Sequence, residues 1–511
     1  MTEPDSARTA PPVEVEAVAS ASSRPAVDVA GLQRRARVGV MALVARTAVM
    51  QLVVLGGDLY LRRRLEPADF GLYAIVQFAL AVFMQFGDVG LASALIRQSA
   101  TPTRRELSSA WCLQMLVASS ITLVLWMGAP LMLHFWSDMS SDGIWVLRAL
   151  SIDLLLSSAR LTPTLLMERE LEYTKLSALE VLQSMTYYVA AICFAATGHG
   201  VMSLAYAVLS RSIAGVLGAH LLRPFRPSLV IDWQLIRPTL HFGVRFQLKN
   251  VTAFLSSAIA PVYGGRVLGQ AQLGFINLGQ STAYFPLKLV EVMARVSFPL
   301  FSRLQHEPKA FAATLERGVM ISAMGTLFFV GLAVGLGPNL IAVLYGAKWL
   351  PALPLFYVYA LALSIGFLHP VVAPAIDAIG KPGLNLKMMV VWTTAMVVLV
   401  ALLTPRYGAL GFAIGMSIPT VLGNVVVLYI LKQLVPDAHL WPRTRALIAG
   451  AITVALLGRF ALAHVCSGPL SFAGGVAASV AVFLGIVGLL DRSAIHELVG
   501  LIRKNVPQTA S

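Results

Sequence analysis

Leu65-Glu66-Pro67-Ala68-Asp69-Phe70-Gly71-Leu72-Tyr73 leads into an apolar run that lasts to Leu95. Leu268-Gly269-Gln270-Ala271-Gln272-Leu273-Gly274-Phe275-Ile276 leads into another that lasts to Pro299. The two stretches lie 203 residues apart and align without a gap. Each is a short polar opening followed by a run long enough to cross a bilayer. A helix rises 1.5 Å per residue, so about twenty apolar residues match the ~30 Å hydrocarbon core. A pair of such runs at a fixed offset is the mark of a duplicated membrane unit.

Working outward, similar runs fill the chain. They fall at roughly 39–61, 72–95, 108–135, 144–166, 176–197, 201–222, 240–262, 274–299, 318–344, 353–376, 384–403, 408–431, 444–464 and 470–490, which makes about fourteen spans. The composition agrees, with 57% hydrophobic and only 13% charged residues among 511. The expected fold is an all-α polytopic membrane protein of two pseudo-symmetric six-helix lobes plus two extra C-terminal helices. Its expected organisation is a disordered cytoplasmic tail (1–34), a first lobe (35–222), a cytoplasmic linker (223–239), a second lobe (240–432), the extra pair (443–490) and a cytoplasmic tail (491–511). Residues Met1 to Gly31, rich in Ala, Pro, Ser and acids, lack the basic start and apolar core of a signal peptide.

The net charge of +14 would suggest nucleic acid in a soluble protein. Here it follows topology. With the N-terminus inside, the inner segments hold about twenty-two Lys and Arg against about six outside, so both termini are expected in the cytoplasm. Arg62-Arg63-Arg64 falls on the outer side, against that bias. The expected location is the inner (plasma) membrane, and nucleic acid is not an expected partner.

The repeat extends beyond its opening words. The same offset sets Arg46-Thr47 on Lys249-Asn250 and Asp88-Val89 on Glu291-Val292. A slightly larger one sets Ala149-Leu150-Ser151-Ile152 on Ala362-Leu363-Ser364-Ile365. Six spans return the chain to its starting side, so the copies run parallel about an axis along the membrane normal, as in transporters.

An ionisable group within a span costs at least ~2.5–3.5 kcal/mol on insertion scales, so each needs a partner, water or a ligand. Arg46 with Asp88, Asp153 with Arg211, and Arg160 with Glu180 are expected as ion pairs, either structural or coupled to an ion. Lys249 and Glu291 form the repeat counterpart of the first. The second lobe is unbalanced: Arg245, Lys249, Lys288 and Arg295 face one carboxylate, Glu291. Snorkelling explains a cation near a helix end. Deeper, at Lys249 and Lys288, an uncompensated patch suits an anion such as phosphate. His369-Pro370 and Pro374 mark the tenth span as the expected broken helix.

The chain contains no G-x-x-x-x-G-K-[ST] loop, no His/Cys/acid cluster with metal spacing, and no nucleophile with a base beside it. Neither a cofactor nor a metal is expected, and catalysis is not. Cys112, Cys193 and Cys466 each sit in an apolar span, which argues against a disulfide framework.

Several ordered words resemble a known family. They are Arg64 to Tyr73, then Gly87-Asp88-Val89-Gly90-Leu91, Ala94-Leu95-Ile96-Arg97-Gln98 and Leu166-Met167-Glu168-Arg169-Glu170-Leu171. Further along come Phe298 to Gln305, Leu344 to Ala352, and Gly380-Lys381-Pro382. Over roughly residues 35 to 435 the set resembles Wzx-type polysaccharide flippases, in the colanic-acid-exporter-like branch of the multidrug/oligosaccharidyl-lipid/polysaccharide superfamily. The resemblance implies two lobes around a cavity that opens alternately to each side. It implies a polyprenyl-pyrophosphate-linked oligosaccharide as substrate, membrane lipids as surroundings, and the polysaccharide polymerase as a further partner. By position, it also implies that Arg46, Arg245, Lys249 and Lys288 meet the pyrophosphate. The N-terminal tail and the outer Arg62-Arg63-Arg64 depart from the family pattern.

The alternative within this fold is a cation-coupled multidrug antiporter, which needs unpaired acids in its cavity. A membrane polymerase or ligase needs a large outward loop, and the expected spans leave none. A plain scaffold would leave the repeat and the buried charges without purpose.

Overall fold

The computed structural model describes residues 50–87, 95, 102–136, 139–233, 258–288 and 300–492. Two compact units result, Met1–Leu55 and Gly56–Ser511; of the first, 50–55 are described and helical, and the second holds the architecture. Its regular elements are all helices among the described residues. In order come a stretch at 56–64, then Pro67–Gly87, Arg104–Gly128, a short turn of helix at Leu131–Phe135, Asp142–Arg169, Tyr173–Ala196 and Met202–Leu222. The second half runs Gly265–Ala283, Pro308–Leu344, Leu353–Gly366, His369–Ala378 and Pro382–Leu434, followed by Leu440–Leu457 and Pro469–Leu490.

Among the described residues, nine segments are long and apolar enough to cross a bilayer. That is fewer than the fourteen runs for identifiable reasons. The expected spans 384–403 and 408–431 share the 53-residue helix Pro382–Leu434, which bends where Gly408 takes φ 59°. Asp142–Arg169 covers the expected 144–166, but Arg148, Asp153 and Arg160 lower its hydropathy. The expected run 240–262 falls largely on undescribed residues, and 39–61 and 274–299 are cut short because 39–49 and 289–299 are undescribed. The tenth span breaks as expected: Leu353–Gly366 ends and a new helix starts at His369, with Pro370 in its first turn.

Helix starts lie earlier than the apolar runs indicate. Pro67 sits at the first position of its helix, and Asp69 Oδ2 accepts from the Glu66 backbone N–H at 2.9 Å. The polar words that seem to precede the span are thus its cap. At Arg104–Gly128 the cap is reciprocal: Glu106 N–H donates to Thr103 Oγ1 (3.2 Å) and Thr103 N–H to Glu106 Oε2 (2.6 Å).

The two halves meet where the opening words predict their equivalence. Pro67–Gly87 packs along Gly265–Ala283. A Cβ placed on Gly71 would overlap the Gln270 carbonyl oxygen, and one on Gly274 would overlap that of Pro67. Gly274 is Gly71 shifted by 203 and Gln270 is Pro67 shifted by 203, so the contact is its own mirror. Such reciprocity is what a two-fold relation demands of an interface. A second pair echoes it. Trp349 Nε1 donates to the Arg62 carbonyl (2.7 Å), and Trp136 Nε1 to that of Pro261 (3.1 Å), each indole reaching into the other half.

Two further contacts complete the frame. Residues 223–233, the described part of the linker, lie against the start of Arg104–Gly128. There Ser228 N–H donates to Ser108 Oγ (3.1 Å), Asp232 N–H to Ser109 Oγ (3.0 Å), and Asp232 pairs with Arg105 (3.2 Å). The extra C-terminal helices pack on Pro308–Leu344, where Gly331 and Gly335 bring two backbones together and Asn339 Nδ2 donates to the carbonyls of Ala463 (3.0 Å) and Cys466 (2.9 Å).

Candidate functional site

The 56–64 stretch is helical, so Asp58 and Arg62 share a face at i, i+4. Arg62 Nε donates to Asp58 Oδ2 at 2.8 Å. The far side of the guanidinium crosses to the second half, where Nη2 donates to Asn277 Oδ1 (3.2 Å) and Ser281 Oγ (3.4 Å). Rings enclose it: Phe70 at 4.8 Å, Trp349 at 5.6 Å and Tyr345 at 5.8 Å from its central carbon. The side chain is only 6% exposed, yet Nη1 has no protein partner.

Beside this arginine lies a cavity of about 330 Å³. Asp58 and Arg62 form one wall, Tyr73 and Gln77 another, Tyr187 and Tyr188 a third, and Asn277 enters from the second half. Gln77 Nε2 donates to Tyr73 Oη (2.7 Å), and the Tyr187 and Tyr188 rings stand edge to face at 5.0 Å. Gly57 matters to its shape, because a Cβ there would strike the Tyr188 ring.

Polar groups continue from the cavity into the first half. The Arg211 guanidinium lies 6.0 Å from the Tyr187 ring, with a buried Nε that has no partner. Its neighbour in sequence, Ser212, donates its hydroxyl to the buried carboxylate of Asp153. Arg160 donates through Nη1 to Gln183 Oε1 (2.8 Å) and through Nη2 to Ser157 Oγ (3.4 Å).

Of the residues singled out in the sequence, Arg46, Asp88, Arg245, Lys249 and Glu291 lie outside the described residues. Lys288 is described and exposed. Asp153, Arg211 and Arg160 are gathered in one region, held by Ser212, the Tyr187 ring and Gln183. Glu180, one helix turn before Gln183, is exposed. Arg148, in the same span as Asp153 and Arg160, is structural: its guanidinium lies over Trp145 (5.1 Å) and Trp126 (5.7 Å), and Nε and Nη2 donate to the Trp126 carbonyl (both 3.4 Å).

The sequence reading missed Arg62, which it counted among outer loop charges. The i, i+4 spacing to Asp58 was the available signal. The departure at Arg62-Arg63-Arg64 has a structural cause. Arg62 turns inward, while Arg63 donates through Nε to the Leu344 carbonyl (2.9 Å) and through Nη2 to that of Val343, closing the C-terminus of Pro308–Leu344. Arg64 lies 5.7 Å from the Tyr60 ring. Lys348 reciprocates from the second half, with Nζ on the Leu65 carbonyl (2.6 Å) and on Glu66 Oε1 (3.3 Å). The Arg64–Tyr73 and Leu344–Ala352 words thus form one joint between the halves.

Comparisons with known proteins agree with this frame. The chain is 24% identical to the succinoglycan biosynthesis transport protein ExoT of Rhizobium meliloti over 88% of its own length and 92% of that protein's. It is 22% identical to the lipopolysaccharide biosynthesis protein WzxC of Escherichia coli, covering 75% and 79%. Against the teichuronic acid biosynthesis protein TuaB of Bacillus subtilis it is 26% identical over 56% of this chain, spanning 59% of that relative's length. Among solved structures, the lipid II flippase MurJ in an inward closed conformation superposes with a TM-score of 0.67 at 14% identity, over 89% of this chain and all of that one. An inward-facing multidrug resistance transporter of the MATE family gives 0.60 at 13% identity, covering 76% and 95%. These two carry the fold and nothing finer. The family model described as polysaccharide biosynthesis protein matches residues 60–354, which spans both words of the joint and more than half the sequence, and the chain belongs to that family.

Proposed function

We propose that this protein flips polyprenyl-pyrophosphate-linked oligosaccharide repeat units from the inner to the outer leaflet of the inner membrane, supplying exopolysaccharide, O-antigen or capsule assembly. It does so by alternating access and is not an enzyme. The observation that carries this reading is the reciprocal joint between equivalent helices, Gly71 on Gln270 and Gly274 on Pro67, in a chain of this family. Two equivalent halves that meet tightly at one end can rock about that meeting and open the other. With both termini inside, as the charge bias implies, the joint is the outer end, and the end that opens faces the cytoplasm.

In this mechanism the pyrophosphate enters from the cytoplasmic side and meets Arg46, Arg245, Lys249 and Lys288. The polyprenyl tail stays in lipid, and the sugars occupy the space between the halves. Asp88 and Glu291 hold these cations as ion pairs or couple the cycle to an ion. A diphosphate diester carries about two negative charges, so a negative interior assists by at most ~2.3 kcal/mol per charge per 100 mV. The polymerase that consumes the flipped unit is the natural partner outside. The antiporter alternative loses ground at the described carboxylates: Asp58 is tied to Arg62, and Asp153 is held by Ser212 in a region that also holds Arg211 and Arg160.

The test is polymer export from cells whose own gene is deleted and replaced by the Lys249→Gln/Lys288→Gln double variant. Loss of export from a protein present at wild-type level is expected. Wild-type export would refute the pyrophosphate site.

A further inference from the structure

We infer that the cavity bounded by Asp58, Arg62, Tyr73, Gln77, Tyr187 and Asn277 is a carbohydrate subsite, which takes a sugar ring of the substrate; this rests on the flippase reading above. Three features of the cavity separate it from the proposed pyrophosphate site.

The first is charge. The Arg62 guanidinium is bound to the Asp58 carboxylate at 2.8 Å, so this wall offers directed hydrogen bonds with its charges balanced. A diphosphate would meet the carboxylate, and an organic cation would meet the guanidinium. A neutral polyol suffers from neither.

The second is the mixture of groups. A sugar ring has an apolar C–H face and a rim of hydroxyls that both donate and accept. Aromatic side chains with a polar edge suit the face and part of the rim. Tyr73, Tyr187 and Tyr188 supply such rings, while Gln77, Asn277 and Asp58 supply amide and carboxylate groups for the hydroxyls. A cavity of about 330 Å³ lies at the small end of ligand pockets, whose range is ~300–1,000 Å³. Such a space holds part of an oligosaccharide, with the rest between the halves.

The third is an unmet donor. Arg62 is bound through Nε and Nη2, and its side chain is 6% exposed, yet Nη1 has no partner in the protein. Buried donors in native proteins are nearly always satisfied, so an unmet one on a residue that lines the cavity marks a contact still to be made. Nη1 is fully buried, so a sugar hydroxyl completes it as the Arg62 side chain shifts on binding. Asn277 gives the subsite a role in transport, because it reaches the same guanidinium from the second half. Separation of the halves at this joint would take Asn277 away from Arg62 and release the sugar.

Equilibrium binding to the full-length protein in lipid nanodiscs tests the inference. The probes are farnesyl diphosphate and farnesyl diphosphate bearing glucose, galactose or N-acetylglucosamine. At least one glycosylated probe should bind about tenfold more tightly than the sugar-free one. Tyr73→Ala, Tyr187→Ala and Asn277→Ala should each remove most of that advantage and leave the Kd for farnesyl diphosphate unchanged, which also shows that the variants are folded. Tyr73→Phe should keep part of it. Equal binding of all four probes, or an advantage that survives all three alanine variants, would overturn the subsite while the flippase reading stands. Failure of every probe to bind would overturn both. Tetraphenylphosphonium binding that Asp58→Asn abolishes would reassign the cavity to organic cations.

Discussion

Gly71 lies against the backbone carbonyl of Gln270 so closely that no side chain fits between them, and Gly274 repeats the contact on Pro67. Glycine is required at both positions by the approach of two backbones. Alanine would gain up to about 1 kcal/mol in helix propensity. Overlap with a main-chain oxygen, which cannot rotate away, outweighs that gain. Gly71→Ala and Gly274→Ala are each expected to cost about 1–3 kcal/mol. Thermal denaturation in nanodiscs checks this, and the symmetry of the joint predicts similar losses at the two sites. A large loss at one and none at the other would mean the contacts are not equivalent.

Arg62 ties three elements together, so its removal should cost more than removal of the whole ion pair. Arg62→Ala leaves the half-buried Asp58 carboxylate and Asn277 without their donor, a loss of about 1.5–3 kcal/mol for a charged hydrogen bond. The Asp58→Ala/Arg62→Ala double variant removes the stranded carboxylate and should recover part of the loss. A double-mutant cycle on thermal stability measures the coupling. Strict additivity would mean that the pair contributes nothing.

The two indoles that cross between the halves are unequal. Trp349 is fully buried, whereas Trp136 is 8% exposed. Trp349→Phe leaves the Arg62 carbonyl without its donor in a dry setting and should cost about 1–3 kcal/mol. Trp136→Phe should cost less, near the ~0.5–1.5 kcal/mol net value of a single hydrogen bond. The order of the two melting temperatures decides the matter.

The C-terminal pair of helices is seated on Gly331, Gly335 and Asn339. Gly331→Leu would push the Leu440–Leu457 helix off its seat. Cys466 reports this: it is buried at 1% exposure, with its thiol donating to the Ser471 carbonyl at 3.3 Å. In a Cys112→Ser/Cys193→Ser background, a membrane-permeant maleimide should label Cys466 slowly in the parent and at least tenfold faster in Gly331→Leu. Equal rates would place the stability of the pair elsewhere.

Much of the fold was legible because two signals are physical necessities of a bilayer. Span length follows from its thickness, and the break at His369-Pro370 from a missing amide hydrogen. The 203-residue offset pairs Gly71 with Gly274, although the offset alone did not show that their helices meet. The cavity was not legible in the same way. Its groups come from 58–77, 187–188 and 277, and no periodicity links those segments. Arg62 resembled a loop charge because the rings that shelter it, Phe70, Tyr345 and Trp349, are distant in sequence or across a turn. Polar caps misled at helix starts, since Glu66 and Asp69 read as loop until the Asp69 hydrogen bond is seen. At 405–408, Pro-Arg-Tyr-Gly reads as a loop, yet helix continues on both sides of Gly408.

Translocation by the purified protein is the most direct measurement. Proteoliposomes loaded with a polyprenyl-diphosphate oligosaccharide bearing a terminal galactose would be treated from outside with galactose oxidase, which reaches only the outer leaflet. Protein-containing vesicles should expose nearly all of the lipid within minutes, whereas empty vesicles should stop at about half, the share already outside. Oxidation that stops at the same half in both, with correctly folded protein in the membrane, would contradict transport of lipid-linked oligosaccharide by this chain.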